Sequence, residues 1–245
     1  MRIRSAVFEV HTYEVDAFDV LALPALGGFM QEVAGRDAAE MGCGLDVLMG
    51  RGLTWVLARE RIELGAPIRL GDAVEVATWP SGVDRLFALR EFRLTVAGRV
   101  VGQASTEWLV MDLASRRPVR PDRVLAAEFR APGERLLAAA PDLPLVEAGN
   151  REQRFTIRYS DIDRNMHATN TTYLSWVLEA VPGDTWTSAR LASVDVHFLA
   201  ECTYGSRVLS RVRTLSEGAF AHAVLREEDG KELARARTRW VPRAS

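Results

Sequence analysis

Lysine is almost missing from this 245-residue chain: of 31 basic residues only Lys231 is lysine, and the rest are arginine. The codon bias of a GC-rich genome explains that skew without any function, and selective pairing with phosphate or carboxylate groups explains it with one. Either way, 33 acidic residues bring the net charge to −2, which lacks the positive excess that nucleic-acid binding needs. The densest basic run, Arg116, Arg117, Arg120 and Arg123, reads first as a solvated connecting segment and second as a landing place for an acidic partner. Cysteine is scarce too. Cys43 and Cys202 are too few for a disulfide framework or a cysteine-rich metal site, and they suit a reducing compartment. Long apolar runs are missing as well. The longest nearly uncharged one, Val20 to Met30, has eleven residues and is broken by Pro24, Gly27 and Gly28, whereas a bilayer-spanning helix needs roughly 20. Near the N-terminus Glu9, His11, Glu14 and Asp16 interrupt any apolar signal core. The expectation is a cytoplasmic protein without a membrane span. The histidines His11, His197 and His222 are scattered, with no pair at a helix-face spacing that suits a metal.

What the chain does have is concentrated between Asp161 and Glu179, D-I-D-R-N-M-H-A-T-N-T-T-Y-L-S-W-V-L-E. Asp163, Asn165 and His167 alternate with Arg164 and Met166, so the three share a side only where the backbone is not helical. A helix is expected directly after them. Tyr173, Trp176, Val177, Ala180 and Val181 follow the spacing of a buried helical stripe, and Pro182-Gly183 stops it. The polar trio then stands before a helix N-terminus, where unpaired N–H groups favour a developing negative charge. Taken alone, Asp-x-Asn-x-His is also the pattern of a plain turn whose side chains bond nearby backbone N–H groups.

The D-x-N-x-H pattern, followed by Asn170, Tyr173, Trp176 and Leu178-Glu179, resembles the signature of the acyl-acyl-carrier-protein thioesterases of plants and bacteria. In that family a catalytic Glu, often followed by Cys, lies on a later strand, and here Glu201-Cys202 follows His167 by 34 positions. The first half is similar as well, in Trp55-Val56-Leu57-Ala58-Arg59, in Gly71 to Trp79 and in Ser105 to Asp112. Thr169 departs from the family's usual Asn, though Thr still caps a helix.

Residues 1–113 and 154–242 share one plan, a helix followed by several strands, and so read as an internal duplication. Gly71 matches Gly205 at an offset of 134, while Gly98 and Gly230, and Trp108 and Trp240, match at 132. In the first copy a helical region is expected over 18–41, with strands near 53–63, 73–80, 84–97 and 100–112. In the second, strands are expected near 154–160, 191–200, 206–215, 219–228 and 231–241. Residues 114–153, with five of the ten prolines, read as a linker. A one-sided sheet must cover its apolar face, so each copy should wrap its antiparallel strands around its helix. The resemblance names this α+β arrangement a double hotdog. It divides the chain into an N-terminal hotdog domain at 1–113 holding the acyl-chain pocket, a linker at 114–153 and a catalytic C-terminal hotdog domain at 154–245. The helix of the first copy, with Trp55, Trp79 and Phe87, would supply the apolar walls, although each aromatic also reads as ordinary core.

By the same resemblance, Glu201 activates or positions a water, Asn165 and His167 bind that water or polarise the thioester carbonyl, and Asp163 orients its neighbours. Asp161 falls outside the pattern and reads as a loop or cap residue. Cys202 offers a rival chemistry as a nucleophile with His and Asn. On a strand, however, Glu201 and Cys202 point to opposite faces, and Glu201 is preferred for the site. The implied activity is hydrolysis of a fatty acyl thioester on acyl carrier protein, with no cofactor and no metal. The alternatives are hydrolysis of acyl-coenzyme A or a polyketide thioester, and a non-catalytic acyl-thioester binder. A hotdog hydratase fits less well, because its D-x-N-P-x-H pattern separates Asp and His by five positions rather than four. Acyl chain length and oligomeric state, a homodimer included, are left open.

Overall fold

Two stretches of this chain build the same succession of elements. The computed structural model describes residues 2–243 and separates into two compact units that divide between Ala139 and Ala140. The first unit contains β1 (Arg4–Glu9), α1 (Leu23–Glu40), α2 (Leu45–Met49), β2 (Leu53–Leu64), β3 (Ala73–Asp84), β4 (Phe87–Val96), β5 (Arg99–Asp112), β6 (Pro118–Val119) and α3 (Ala127–Arg130). Its strands are antiparallel in the order β1-β3-β4-β5-β2, with β6 beside β5. The second unit contains β7 (Arg151–Thr156), α4 (Asn170–Glu179), α5 (Gly183–Ser188), β8 (Ala189–Phe198), β9 (Arg207–Ser216), β10 (Ala219–Arg226) and β11 (Glu232–Pro242). Its order, β7-β9-β10-β11-β8, is that of the first unit strand for strand. Each unit is a hotdog domain, and the fold is a double hotdog.

The turns repeat along with the strands. Gly71 and Gly205 take φ of 81° and 80°, and Gly98 and Gly230 take 75° and 68°, a left-handed backbone that glycine adopts without a Cβ penalty. The indoles of Trp108 and Trp240 donate to Thr106 and Thr238 on their own strands, so Thr106 and Thr238 are equivalent core positions. Their partners across the sheet differ. Beside Thr106 lies Arg90, whose guanidinium donates to Asp37 of α1 at 2.8 Å with both side chains buried. Beside Thr238 the equivalent position is the buried Phe220, and His222, two residues further along β10, shares a 2.9 Å hydrogen bond with Thr238. Burial pushes this imidazole down to about 3, so it is neutral. The ten-residue α4 ends before it could offer a counterpart to Asp37 on the 18-residue α1, and neither the apolar Phe220 nor the neutral His222 needs one.

The Asp37–Arg90 pair identifies the helix-facing side of the first sheet, and strand alternation sorts the neighbours. Glu91 lies on the opposite face, where its carboxylate accepts from Ser81 at 2.7 Å, from the Leu136 N–H at 3.1 Å and from Ser105. Trp79 pairs with Glu91 and donates to the Glu134 carbonyl at 2.9 Å, so it faces away from α1. Phe87 also lies on that face, under the Arg59 guanidinium. Neither can wall a pocket beside the helix. Trp55 does face inwards, but it is packed against Trp108 and Phe129.

Several boundaries move. The first helix starts at Leu23 rather than 18, because Pro24 suits the first turn and residues 16–20 form a separate loop. The edge strand β1 was not anticipated, since it buries no residue completely. The segment expected as a linker from residue 114 instead belongs to the first unit as far as Ala139, with Leu125 and Phe129 buried in its core and residues 133–136 tied to the back of its sheet. Only the stretch after it runs on to β7. Among the described residues no helix is long and apolar enough to cross a membrane.

Candidate active site

Asp163 closes the loop that carries the polar trio. Its N–H donates to the His167 carbonyl at 2.9 Å, and its Oδ1 accepts from the Asn165 N–H at 2.8 Å and the His167 N–H at 3.4 Å. Its second oxygen accepts from the Asn165 side-chain amide at 3.1 Å. Met166 turns the corner with φ of 64°, and an Ile162–Ala168 bridge seals the base. Thr169 then caps α4 by accepting the Thr172 N–H at 3.1 Å. The N–H groups of Asn170 and Thr171 remain without an acceptor among the described residues. Asp161 is the cap residue that the sequence suggested: it is 4% exposed and gripped by the Arg158 backbone N–H and guanidinium. Burial raises its pKa, but those hydrogen bonds outweigh it and hold the carboxyl below its ordinary value.

Glu201 meets this loop from the connector after β8. The strand ends at Phe198, so Glu201 and Cys202 are not on a strand as expected. A backbone bridge between His167 and Thr203, and the Ala168 N–H donating to the Cys202 carbonyl at 2.9 Å, hold the connector to the loop. His167 Nδ1 and Glu201 Oε2 come within 3.4 Å, their side chains 28% and 46% exposed. The expected division of faces survives the loss of the strand, because Cys202 is buried while Glu201 is open to solvent.

The first unit contains the same loop without the chemistry. Asp16 accepts from the N–H groups of Phe18 and Val20 at 2.8 and 3.1 Å, its own N–H donates to Val20, and Asp19 turns the corner at φ of 56°. The connector repeats too, with Leu21 donating to the Ile68 carbonyl and a Val20–Arg69 bridge. Asn165, His167 and Glu201 thus correspond to Phe18, Val20 and Pro67. Sequence comparison overlooked this twin because its offset is 147, against 134 at the glycines. The longer helical region of the first unit shifts the frame between them.

The acyl-ACP thioesterase N-terminal domain family matches residues 4–129, and the C-terminal domain family matches residues 146–242. This chain belongs to the acyl-ACP thioesterase family. As a member it is a thioester hydrolase. It is 27% identical to the chloroplastic oleoyl-acyl carrier protein thioesterase 1 of Arabidopsis thaliana, over 97% of this chain and 76% of that one. Among solved structures, an acyl-ACP thioesterase from Bacteroides thetaiotaomicron superposes with a TM-score of 0.89 at 25% identity, covering 98% of both chains. The 12:0-ACP thioesterase of Umbellularia californica shares the fold, with a TM-score of 0.88 at 24% identity over 98% of each chain.

In this acyl-ACP thioesterase Cys202 is poorly suited to nucleophilic attack. It is 1% exposed, and burial pushes its thiol up, away from the reactive thiolate. Its sulfur lies 3.2 Å from the Tyr173 hydroxyl, which also donates to the Ala200 carbonyl at 3.0 Å. In sequence Tyr173 is legible as a member of the buried stripe of α4 and of the family-like pattern, with nothing to mark its hydroxyl.

Proposed function

We propose that this thioesterase hydrolyses fatty acyl-ACP by direct attack of water, with Glu201 as the base and Asn165, His167 and the N-terminus of α4 around the reacting carbonyl. The approach of His167 to Glu201 at 3.4 Å carries this reading, since it joins the loop and the connector in one solvent-accessible cluster. Glu201 takes a proton from the water as its oxygen bonds to the thioester carbon. The carbonyl oxygen becomes an oxyanion, which the Asn165 amide, His167 and the Asn170 and Thr171 N–H groups are suited to stabilise. When the tetrahedral adduct collapses the C–S bond breaks, and the proton passes to the leaving thiolate, giving a free fatty acid and the carrier's thiol. Asp163 serves by fixing Asn165 and the loop. All four side chains come from one unit, so the reading requires no second chain for the chemistry.

We assign acyl-chain binding to the first unit, whose loop keeps its shape but presents Phe18, Val20 and Pro67 in place of the polar set. Two unpaired, buried cysteines support the cytoplasm as the working compartment. The test is release of fatty acid by the purified protein from a panel of acyl-ACP and acyl-coenzyme A thioesters. Acyl-ACP should be the better substrate, and Glu201→Ala should lose about 10²- to 10⁴-fold in turnover. Near-normal turnover by that variant would remove Glu201 from the mechanism.

A further inference from the structure

We propose that Tyr173 is a positioning residue for Glu201, its hydroxyl anchoring the backbone on both sides of the glutamate. The proposal rests on the reading of Glu201 as the base. From the fourth position of α4, Tyr173 donates to the carbonyl of Ala200 at 3.0 Å and meets the sulfur of Cys202 at 3.2 Å. Ala200 immediately precedes Glu201 and Cys202 immediately follows it. One hydroxyl proton serves the carbonyl, and the oxygen accepts from the protonated thiol, so both polar groups are satisfied in a corner where Tyr173 is 3% exposed. The connector is thereby tied to the same helix whose N-terminus faces the reaction. A base needs such support, because small displacements of a reacting group cost large factors in rate.

The first unit separates this role from ordinary packing. Its connector is held by equivalent backbone bonds: Gly65 and Ala66 both donate to Val101, as Leu199 and Ala200 donate to Leu233. The fourth residue of α1 is Leu26, and the counterpart of Cys202 is Ile68; they are 2% and 3% exposed. The equivalent positions are therefore both buried and aliphatic where Pro67 stands in place of the glutamate. The polar Tyr–Cys pair occurs in the unit that has a glutamate to aim.

The test is a double-mutant cycle on the full chain with acyl-ACP substrates. Tyr173→Phe removes only the hydroxyl and keeps the ring against Trp176 and Phe198, at centroid distances of 5.1 and 5.9 Å. Its kcat should fall about tenfold, with KM within about twofold of the parent. In a Glu201→Gln background the same change should have no further effect, because there is no base left to position. The paired change Tyr173→Leu with Cys202→Ile installs the apolar solution of the first unit, and should show the same kcat loss in a chain that still melts cooperatively. Parental kcat in Tyr173→Phe, or an equal fractional loss in the Glu201→Gln background, overturns the proposal. Parental turnover in Glu201→Gln alone overturns the base reading and the positioning role with it. A dead Glu201→Gln beside a fully active Tyr173→Phe sinks the positioning role alone.

Discussion

Glu60 should make the first unit lose stability as pH rises. The side chain lies on the helix-facing side of β2, opposite Thr106, and is 2% exposed, with Oε2 lacking a hydrogen-bond partner among the described residues. The equivalent position in the second unit, opposite Thr238, is Val194, which is fully buried. Burial raises the Glu60 pKa from an ordinary 4.5 to about 7. Below pH 4.5 both folded and unfolded chains hold the proton, and the group adds no pH dependence. Between 4.5 and 7 the folded chain alone still holds it, so stability falls as pH rises; above 7 the loss is complete. At about 1.4 kcal/mol per unit the whole effect is about 3 kcal/mol, most of it between pH 5 and pH 8. Urea unfolding of the parent and Glu60→Gln across that range should show the parent's relative stability falling by that amount, and the difference in Tm widening by roughly 6 to 12 °C. Glu60→Val, which copies the second unit, should remove the same pH slope. If parent and variants lose stability in parallel between pH 5 and pH 8, the carboxyl is not titrating in a buried site and the reasoning fails.

Asp163→Asn keeps an oxygen that can accept from the Asn165 and His167 N–H groups, so its kcat should exceed that of Asp163→Ala; equal losses would show that the charge matters rather than the loop. Cys202→Ala should retain substantial turnover, and thiol alkylation should inhibit weakly; an inactive variant with an acyl adduct trapped on Cys202 in the parent would instead identify it as the nucleophile. Asp37→Ala strands the Arg90 guanidinium and should cost about 3 to 5 kcal/mol in chemical unfolding. Asp37→Leu combined with Arg90→Phe imitates the second unit, where Phe220 lies opposite Thr238, and should recover part of that loss; no recovery would show that the two cores do not share this logic.

The sequence determined those features that recur over short distances along the chain. The alternation of Asp163, Asn165 and His167, the stripe beginning at Tyr173 and the turn glycines each express a local backbone period, and together they made the loop, the helix and the duplication legible. The fixed distance to Glu201-Cys202 and the ordered first-half motifs carried the family. Tertiary structure decided everything that depends on which strand lies beside which. Trp79 and Phe87 look like pocket walls in sequence, yet pairing with Glu91 and contact with Arg59 put them on the far face. The prolines of 114–153 suggested a linker, but Leu125 and Phe129 enter a core assembled from distant elements. Tyr173 reads as one more buried aromatic until folding brings its hydroxyl to the residues flanking Glu201. A side chain's periodicity is set by its neighbours in sequence, whereas its chemistry is set by the hydrogen-bond partners and water that folding leaves around it.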